Sequence, residues 1–454
     1  MNRQQISLTQ GSIWKAILFF AFPIFLGQVF QQLYNTFDAW CVGYFINDNA
    51  MGAVTSSGSL IFLMVSFFNG LAMGAGVVIA RYYGAKNDDA VSKTIHTAIA
   101  FGLCTGTALT VAGITCTPII LRWMGAPEDT MVYSIPYFRF YFCGAIFTVM
   151  YNIFVGIHHA VGDSKHPLYY LICSTMVNIV LDLLFVGVMG FGVSSAALAT
   201  TISQGISALL CCIHLMRSTG PARLYLRKIR FHWKNLQEII RYGLPSAIQN
   251  SVIALANVVV QSNIFAFGPD AVNGCGAYSK LEGFAFLPVM CFSQSLSTFT
   301  GQNLGAEQHD RVKKGVGFGI VCSLIMAQIV GLLSYIFAPQ LIGFFAKAEA
   351  AIAYGTQHMR TICLFYGLLA FSHCIAGIMR GAGKATVPMF TMLACWCVIR
   401  VSYITIAVKF APKLTTVSWA YPLTWTLSSV VFLIYFLKAD WIHNFDRQKA
   451  KKAT

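Results

Sequence analysis

The stretch Gly156–Pro167, GIHHAVGDSKHP, decides how the chain is organised, because a related stretch, GIMRGAGKATVP, occurs at Gly377–Pro388. A second pair of segments has the same spacing. ARYYGAKNDDAVSKT, from Ala80, and GQNLGAEQHDRVKKG, from Gly301, agree in five of fifteen positions at an offset of 221 residues. Matches at one offset indicate an internal duplication, and a duplication determines the architecture before any single motif is interpreted.

The composition is that of an integral membrane protein. Of the 454 residues, 57% are hydrophobic and 10% are charged, whereas about 25% are charged in a typical soluble domain. The apolar residues form long runs, and a helix needs roughly 20 such residues to cross the hydrocarbon core. We predict twelve spans, at 14–36, 53–80, 94–118, 133–157, 166–188, 194–216, 240–266, 275–303, 315–337, 354–379, 386–408 and 417–438.

The duplication predicts two lobes of parallel orientation. Each repeat contains six spans, an even number, so both repeats begin on the same side of the membrane. We predict an N-terminal lobe at 1–216, a basic linker with a surface helix at 217–241, a C-terminal lobe at 242–440 and a basic tail at 441–454. Pro23 in the first span recurs as Pro245 in the seventh. A proline frees a backbone carbonyl and permits a bend, and Pro23 is therefore a candidate for a gating bend.

The charge distribution predicts the topology. The formal net charge is +15, and most Lys and Arg residues fall on segments that are cytoplasmic if the N-terminus is cytoplasmic. The positive-inside rule therefore predicts that both termini are cytoplasmic. The membrane topology and the anionic lipid headgroups explain the excess of basic over acidic residues, so nucleic-acid binding is not expected. We expect a monomer in the bilayer of the plasma membrane.

Two acidic residues within the spans suggest a cation site. A charge inside the bilayer costs at least about 2.5–3.5 kcal/mol on insertion scales, so it normally faces a cavity. Asp38 ends a polar stripe on the first span, and Asp182 has Asn178 one helical turn before it. Two desolvated carboxylates repel each other, which raises their affinity for a proton or another cation. Oxygen ligands suit Na⁺ as well as H⁺. The alternative, in which each aspartate only joins helices through hydrogen bonds, stays open.

Other polar residues in the spans have less defined roles. The stripe before Asp38 and one residue of the fourth span are predicted to line a substrate chamber: Gln31, Tyr34, Asn35 and Asn152. The sequence does not decide the roles of Glu282, His373 and Arg400, and Arg400 has no obvious acidic partner in its half.

The chain resembles the multidrug and toxic compound extrusion (MATE) family of secondary transporters over about residues 10–440. The segments that carry the resemblance are FPIFLGQVFQQLYNTFDAWCVG, YYGAKNDD, GIHHAVGDSKHP, NIVLDLLFVGVMGFGVSSAALATTISQ, FLPVMCFSQSLSTFTGQNLGAE and GIMRGAGKATVP. The resemblance implies an all-α fold with twelve transmembrane helices in two six-helix lobes, arranged as a V around a central cleft. It also implies export of cationic or planar organic compounds in exchange for H⁺ or Na⁺, with no cofactor besides the coupling ion.

The resemblance to the DNA-damage-inducible-like branch of the family implies a cation site in the N-terminal lobe. Carried over onto this sequence, the site consists of Asp38, Asn178, Asp182 and Thr200, with Thr201 as the alternative register for the last position. The same four residues would be the ligands if Na⁺ is the coupling ion. Other branches have carboxylates in the seventh and tenth helices, and these are absent from the sequence.

Three other functions compete with this interpretation. A flippase or exporter of a lipid-linked or other amphipathic metabolite, as found in the wider superfamily, is the main alternative. Such relatives usually have a cationic cavity, whereas the buried groups of the first half are acidic. A membrane-embedded enzyme is not expected, because the spans contain no H-E-x-x-H motif, no G-x-S-x-G motif and no paired His and acid motif. A channel would not explain a duplicated chain in which only the first repeat carries an acidic site.

Overall fold

The computed structural model describes residues 8–45, 48–123, 128–192 and 194–445, and within these ranges all regular structure is helical. The α-helices, in chain order, are α1 Ile13–Phe45, α2 Asp48–Gly84, α3 Asp88–Trp123, α4 Glu128–Cys143, α5 Ala145–Ala160, α6 Lys165–Asp182, α7 Ser194–Arg217, α8 Trp233–Phe265, α9 Pro269–Ala285, α10 Leu287–Gly305, α11 His309–Ile336, α12 Ala338–Gly343, α13 Glu349–Cys363, α14 Tyr366–Gly381, α15 Thr386–Met392, α16 Arg400–Phe410, α17 Leu414–Ser418 and α18 Ala420–Lys438. Two π-helical segments, Leu183–Val188 and Leu393–Ile399, and one 3₁₀ turn, Leu226–Lys228, complete the described helices.

The helices make the chain a multi-pass membrane protein. Nine described helical segments are long and apolar enough to span a membrane, and two bent helix pairs add up to two more spans. The bends are 45° between α4 and α5 and 54° between α13 and α14. These eleven candidates overlap eleven of the twelve predicted spans. The remaining predicted span, the eighth in chain order at 275–303, is occupied by α9 and α10, which meet at Phe286 beside Pro288.

Contacts divide the described helices into two units. Residues 26–247 belong to the first unit, and residues 8–25 and 248–445 belong to the second. The division falls inside α1, just after Pro23, and inside α8, just after Pro245. The duplicated prolines thus mark equivalent points in the two repeats.

The first unit has a well-packed apolar core. Ile79, Ile95, Phe138, Phe142 and Ile157 are among its buried side chains and come from α2, α3, α4 and α5. Such interlocking of side chains from several helices gives the unit a single defined packing.

Glycine permits two helices of the first unit to approach until their backbones touch. A Cβ atom added at Gly74 of α2 would clash with the backbone of Gly243 in α8. A small residue at each crossing position is typical of close helix packing in membranes.

The segment predicted as a linker, 217–241, packs against the first unit. It contains the turn Leu226–Lys228, and α8 then begins at Trp233 and continues without interruption into the following span. Glu238 accepts a hydrogen bond of 2.7 Å from the Tyr82 hydroxyl, and Asn235 donates one of 2.7 Å to Thr94. These bonds connect the start of α8 to the end of α2 and to the start of α3.

Candidate cation site

Asp38 and Asp182 meet inside the first unit, although they belong to α1 and α6. Their carboxyl groups lie close enough to interact electrostatically, and both side chains are buried, with Asp182 0% exposed. Asp182 is the last residue of α6, where the hydrogen bonding changes to the π pattern of Leu183–Val188. π-Helical turns inside α-helices are frequent at functional sites. Two neighbouring carboxyl groups away from water do not both stay ionised unless a cation neutralises them, and otherwise one of them binds a proton.

Thr200 on α7 joins this pair. Its Oγ1 donates a hydrogen bond to Oδ2 of Asp38 at 3.3 Å and lies 3.0 Å from the Ala196 carbonyl of its own helix. Thr201, the alternative register, instead donates to the Phe140 carbonyl at 3.3 Å. The structure therefore brings Thr200, and not Thr201, to the carboxylates.

Many buried polar atoms on α1 and α6 have no hydrogen-bond partner among the described residues. They are the Tyr34 hydroxyl, Oδ1 of Asp38, Oγ1 of Thr175, both polar side-chain atoms of Asn178 and both carboxylate oxygens of Asp182. An unpaired buried polar group costs about 1–3 kcal/mol, and native proteins pair most of them. Their concentration around two carboxylates fits a site that a cation, a proton or water completes.

Two tyrosines of α4 lie beside Asp38 and were not singled out from the sequence. Tyr137 and Tyr141 both interact electrostatically with Asp38, and their ring centroids are 6.5 Å apart. The only sequence signal is their spacing of one helical turn in the aromatic stretch YSIPYFRFYF. Their hydroxyl groups add polar atoms to the border of the site.

The residues predicted to line a substrate chamber occupy different surroundings. Tyr34 is buried beside the carboxylates, Gln31 is half-buried, and Asn35 is exposed. Asn152 on α5 donates to the Thr148 carbonyl at 2.8 Å and lines a small cavity together with Tyr141. Pro23, the predicted bend, lies in α1 and is buried.

The second unit contains a buried cation. The guanidinium of Arg400 donates to Oγ1 of Thr424 at 3.1 and 3.3 Å and to Oδ1 of Asn257 at 3.3 Å. It also lies over the ring of Tyr421, 4.6 Å from the centroid. Arg400 directly follows the second π-helical segment. This arrangement satisfies most donors of a planar guanidinium and holds it in one orientation.

Glu282 supplies the acidic partner of Arg400 that the sequence did not reveal. It interacts electrostatically with Arg400 and accepts a hydrogen bond of 3.0 Å from the Tyr278 hydroxyl. His373 is also buried and packs against Phe286 and Trp396, with ring centroids 4.9 and 5.3 Å away. Arg400 and Glu282 thus have opposite charges, unlike the two carboxylates of the first unit, and a second buried guanidinium, that of Arg380, donates to Oγ of Ser293 at 3.1 Å.

Comparison with known proteins agrees with the duplication. The MatE family model matches residues 23–184 and 245–406. The two matched segments are equally long, and they begin at Pro23 and Pro245. The similarity to the family model therefore extends through both repeats.

Curated relatives are bacterial proteins with names that refer to drugs. The probable multidrug resistance protein YoeA of Bacillus subtilis is 28% identical over 397 residues, which cover 86% of each chain. The multidrug export protein MepA of Staphylococcus saprophyticus is 20% identical over 84% of this chain and 85% of its own.

Solved structures share the fold. An outward-facing multidrug resistance MATE family transporter superposes with a TM-score of 0.90 at 22% identity and covers 96% of this chain and 97% of its own. A MOP superfamily transporter from Pyrococcus furiosus, described as having a binding pocket of reverse polarity, has a TM-score of 0.90 at 22% identity over 100% of both chains.

Proposed function

Because the chain belongs to the MatE family of membrane transporters, we propose that it is a secondary active multidrug antiporter that exports organic compounds in exchange for H⁺ or Na⁺. The names of the relatives support multidrug export. Cationic or planar organic molecules are the substrates we propose. The transporter works as a monomer in the plasma membrane, with both termini in the cytoplasm.

The proximity of the two buried carboxyl groups of Asp38 and Asp182 is the observation that carries the proposal. Desolvation and mutual repulsion both favour the neutralised state of the pair, so a proton or Na⁺ entering the site releases a large part of this cost. Thr200 and Asn178 contribute the further oxygen ligands. A site that changes its charge with ion occupancy can bias two conformations of the helices that carry it.

The bend at Pro23 is the element through which we propose that ion occupancy acts. Asp38 and Pro23 are on the same helix, α1, and the division between the units falls between them. Ion binding at Asp38 changes the charge on α1, and Pro23 is the point at which this helix lacks a hydrogen bond and bends most easily. In this scheme, Gln31, Tyr34, Asn35 and Asn152 contact the substrate.

The alternative, a flippase for lipid-linked precursors, finds less support in the described residues. Recognition of a pyrophosphate requires free guanidinium or ammonium donors. The guanidinium of Arg400 donates to Thr424 and Asn257, and that of Arg380 is buried and donates to Ser293.

Proteoliposomes with independently imposed pH and Na⁺ gradients test the proposal. We expect a dye such as ethidium to move only against an opposing ion gradient, at a rate that follows the size of that gradient. A gradient that dissipates without dye would instead indicate a channel. Dye transport that ignores both gradients would refute antiport.

A further inference from the structure

A cluster of three histidines around one aspartate lies at the end of α5, away from the carboxylate pair. His158 comes from the last turn of α5, Asp163 from the turn between α5 and α6, His166 from the first turn of α6 and His214 from the last turn of α7. None of them takes part in the proposed transport chemistry. Three of the four residues lie within the stretch Gly156–Pro167, whereas His214 joins them only through helix packing.

The distances in the cluster are short. Oδ2 of Asp163 lies 3.1 Å from Nδ1 of His158, 2.8 Å from Nδ1 of His166 and 3.9 Å from Nε2 of His214. The ring centroids of His166 and His214 are 4.0 Å apart. One nitrogen or oxygen atom from each of His158, Asp163 and His214 lies within 4.8 Å of the others. Ligand atoms of a tetrahedral Zn²⁺ site lie about 3.4 Å apart, so small side-chain rotations suffice to bind an ion.

Two further features point to a ligand. Nε2 of His158 is buried and has no hydrogen-bond partner among the described residues. The Tyr170 hydroxyl lies 2.9 Å from Nδ1 of His214, and if it accepts the Nδ1 proton, Nε2 of His214 carries the lone pair that faces Asp163. Metal-binding histidines are usually oriented by such a contact at the second ring nitrogen.

The other repeat shows that the turn does not need these residues. In the first repeat, Gly162 has a φ of 87° and the amide of Asp163 donates to the His158 carbonyl at 2.9 Å. In the second repeat, Gly383 has a φ of 73° and the amide of Lys384 donates to the Met379 carbonyl at 2.8 Å. Met and Lys thus stand at the positions of His158 and Asp163 in a turn of the same geometry. The histidines and the aspartate require an explanation other than the fold.

We propose that His158, Asp163 and His214, with His166 beside them, form a binding site for a divalent transition-metal ion such as Zn²⁺. Imidazole nitrogens select Zn²⁺, Ni²⁺ and Cu²⁺ over Mg²⁺ and Ca²⁺, which prefer oxygen ligands. His158 and Asp163 are buried, whereas the side chains of His166 and His214 are 19% and 26% exposed. The ion enters past these two and joins the ends of α5, α6 and α7.

Direct metal binding to the full-length protein tests the proposal. The protein is purified in detergent without a histidine tag, stripped with a chelator and titrated with Zn²⁺ against a chromophoric chelator. We expect one Zn²⁺ per chain, a higher Tm with Zn²⁺ than without it, and a loss of affinity of about tenfold or more in His214→Ala and in His158→Met. The second variant copies the residue of the other repeat, and the first changes a partly exposed side chain, so the fold tolerates both.

The matched control is His443→Ala. His443 belongs to a His–Asp pair with Asp440, 2.7 Å apart, outside the cluster, and its loss should leave the affinity and the stoichiometry unchanged. Co²⁺ provides a second probe, because a site of nitrogen and oxygen ligands gives d–d absorption without the charge-transfer band of a thiolate. Absence of stoichiometric binding, equal affinity in His214→Ala and the unmodified protein, or a thiolate band would each overturn the proposal.

Discussion

Oγ1 of Thr200 lies 3.3 Å from Oδ2 of Asp38 and thereby links α7 to α1 at the buried carboxylate pair. Thr201, one residue later, points to the Phe140 carbonyl instead. One residue corresponds to about 100° of rotation around a helix, so two adjacent threonines face different neighbours.

Thr200→Ala should weaken binding of Na⁺, because it removes an oxygen ligand, and should strengthen binding of a proton, because Asp38 loses a hydrogen bond that stabilises its charged form. A hydrogen bond to a charged group contributes about 1.5–3 kcal/mol, so the ion concentration for half-maximal dye export should rise about tenfold if Na⁺ is the coupling ion and fall by a similar factor if H⁺ is. Thr200→Ser, which keeps the hydroxyl, should restore the affinity. Titration of transport with the coupling ion in proteoliposomes measures the effect. Thr201→Ala is the matched control, and an equal effect of both alanine variants would contradict the assignment.

Asp38→Asn and Asp182→Asn should each abolish ion-driven dye export. Each change removes one of the two charges that the ion neutralises, while the similar shape of the amide keeps the packing. Export from everted vesicles, compared at equal protein levels, is the measurement. Asp89→Asn is the control, because Asp89 forms an exposed ion pair of 2.6 Å with Lys93 and such pairs contribute little. Full export by both buried variants would refute the role of the pair.

Arg400→Met should destabilise the protein by about 1–3 kcal/mol, because it leaves the buried Oγ1 of Thr424 without its guanidinium donors and removes a cation that interacts with Glu282. The double variant Arg400→Met/Glu282→Gln should be more stable than Arg400→Met alone, since it removes both charges. Thermal unfolding in detergent measures both, and the double-mutant comparison isolates the interaction. Arg122→Met, at an exposed arginine, should change little. If the loss of stability in the double variant equals the sum of the losses in Arg400→Met and in Glu282→Gln, the two side chains are energetically independent.

Gly74→Ala should lower the thermal stability because its methyl group meets the backbone of Gly243, which cannot move aside as a side chain can. Overpacking typically costs about 1–3 kcal/mol. Gly317→Ala is the control in another long helix, because no atom lies within 4 Å of its added Cβ. Alanine there should stabilise slightly through its higher helix propensity. Equal Tm values for the two variants would argue against the close helix approach.

The long apolar helices were predictable from the sequence because the hydrocarbon thickness imposes their length. Eleven of the predicted spans have a candidate counterpart among the described helices, and the family comparison confirms the duplicated twelve-helix fold. The bend at Gly144 between α4 and α5 and the break at Phe286 before α10 were not predicted. Hydrophobicity indicates how strongly a segment partitions into the bilayer. It contains no information on the direction of the helix axis.

The sequence by itself determined the membrane class, the duplication and the two aspartates that stand out from apolar helices, because each of these is a property of neighbouring residues or of a regular spacing. Only the tertiary structure decided that Thr200 rather than Thr201 meets Asp38, that Glu282 faces Arg400, and that His214 joins Asp163. These contacts connect helices that are distant in the chain, and they depend on how each helix is rotated and shifted against its neighbours. That register results from the packing of many side chains together and is not contained in any single segment.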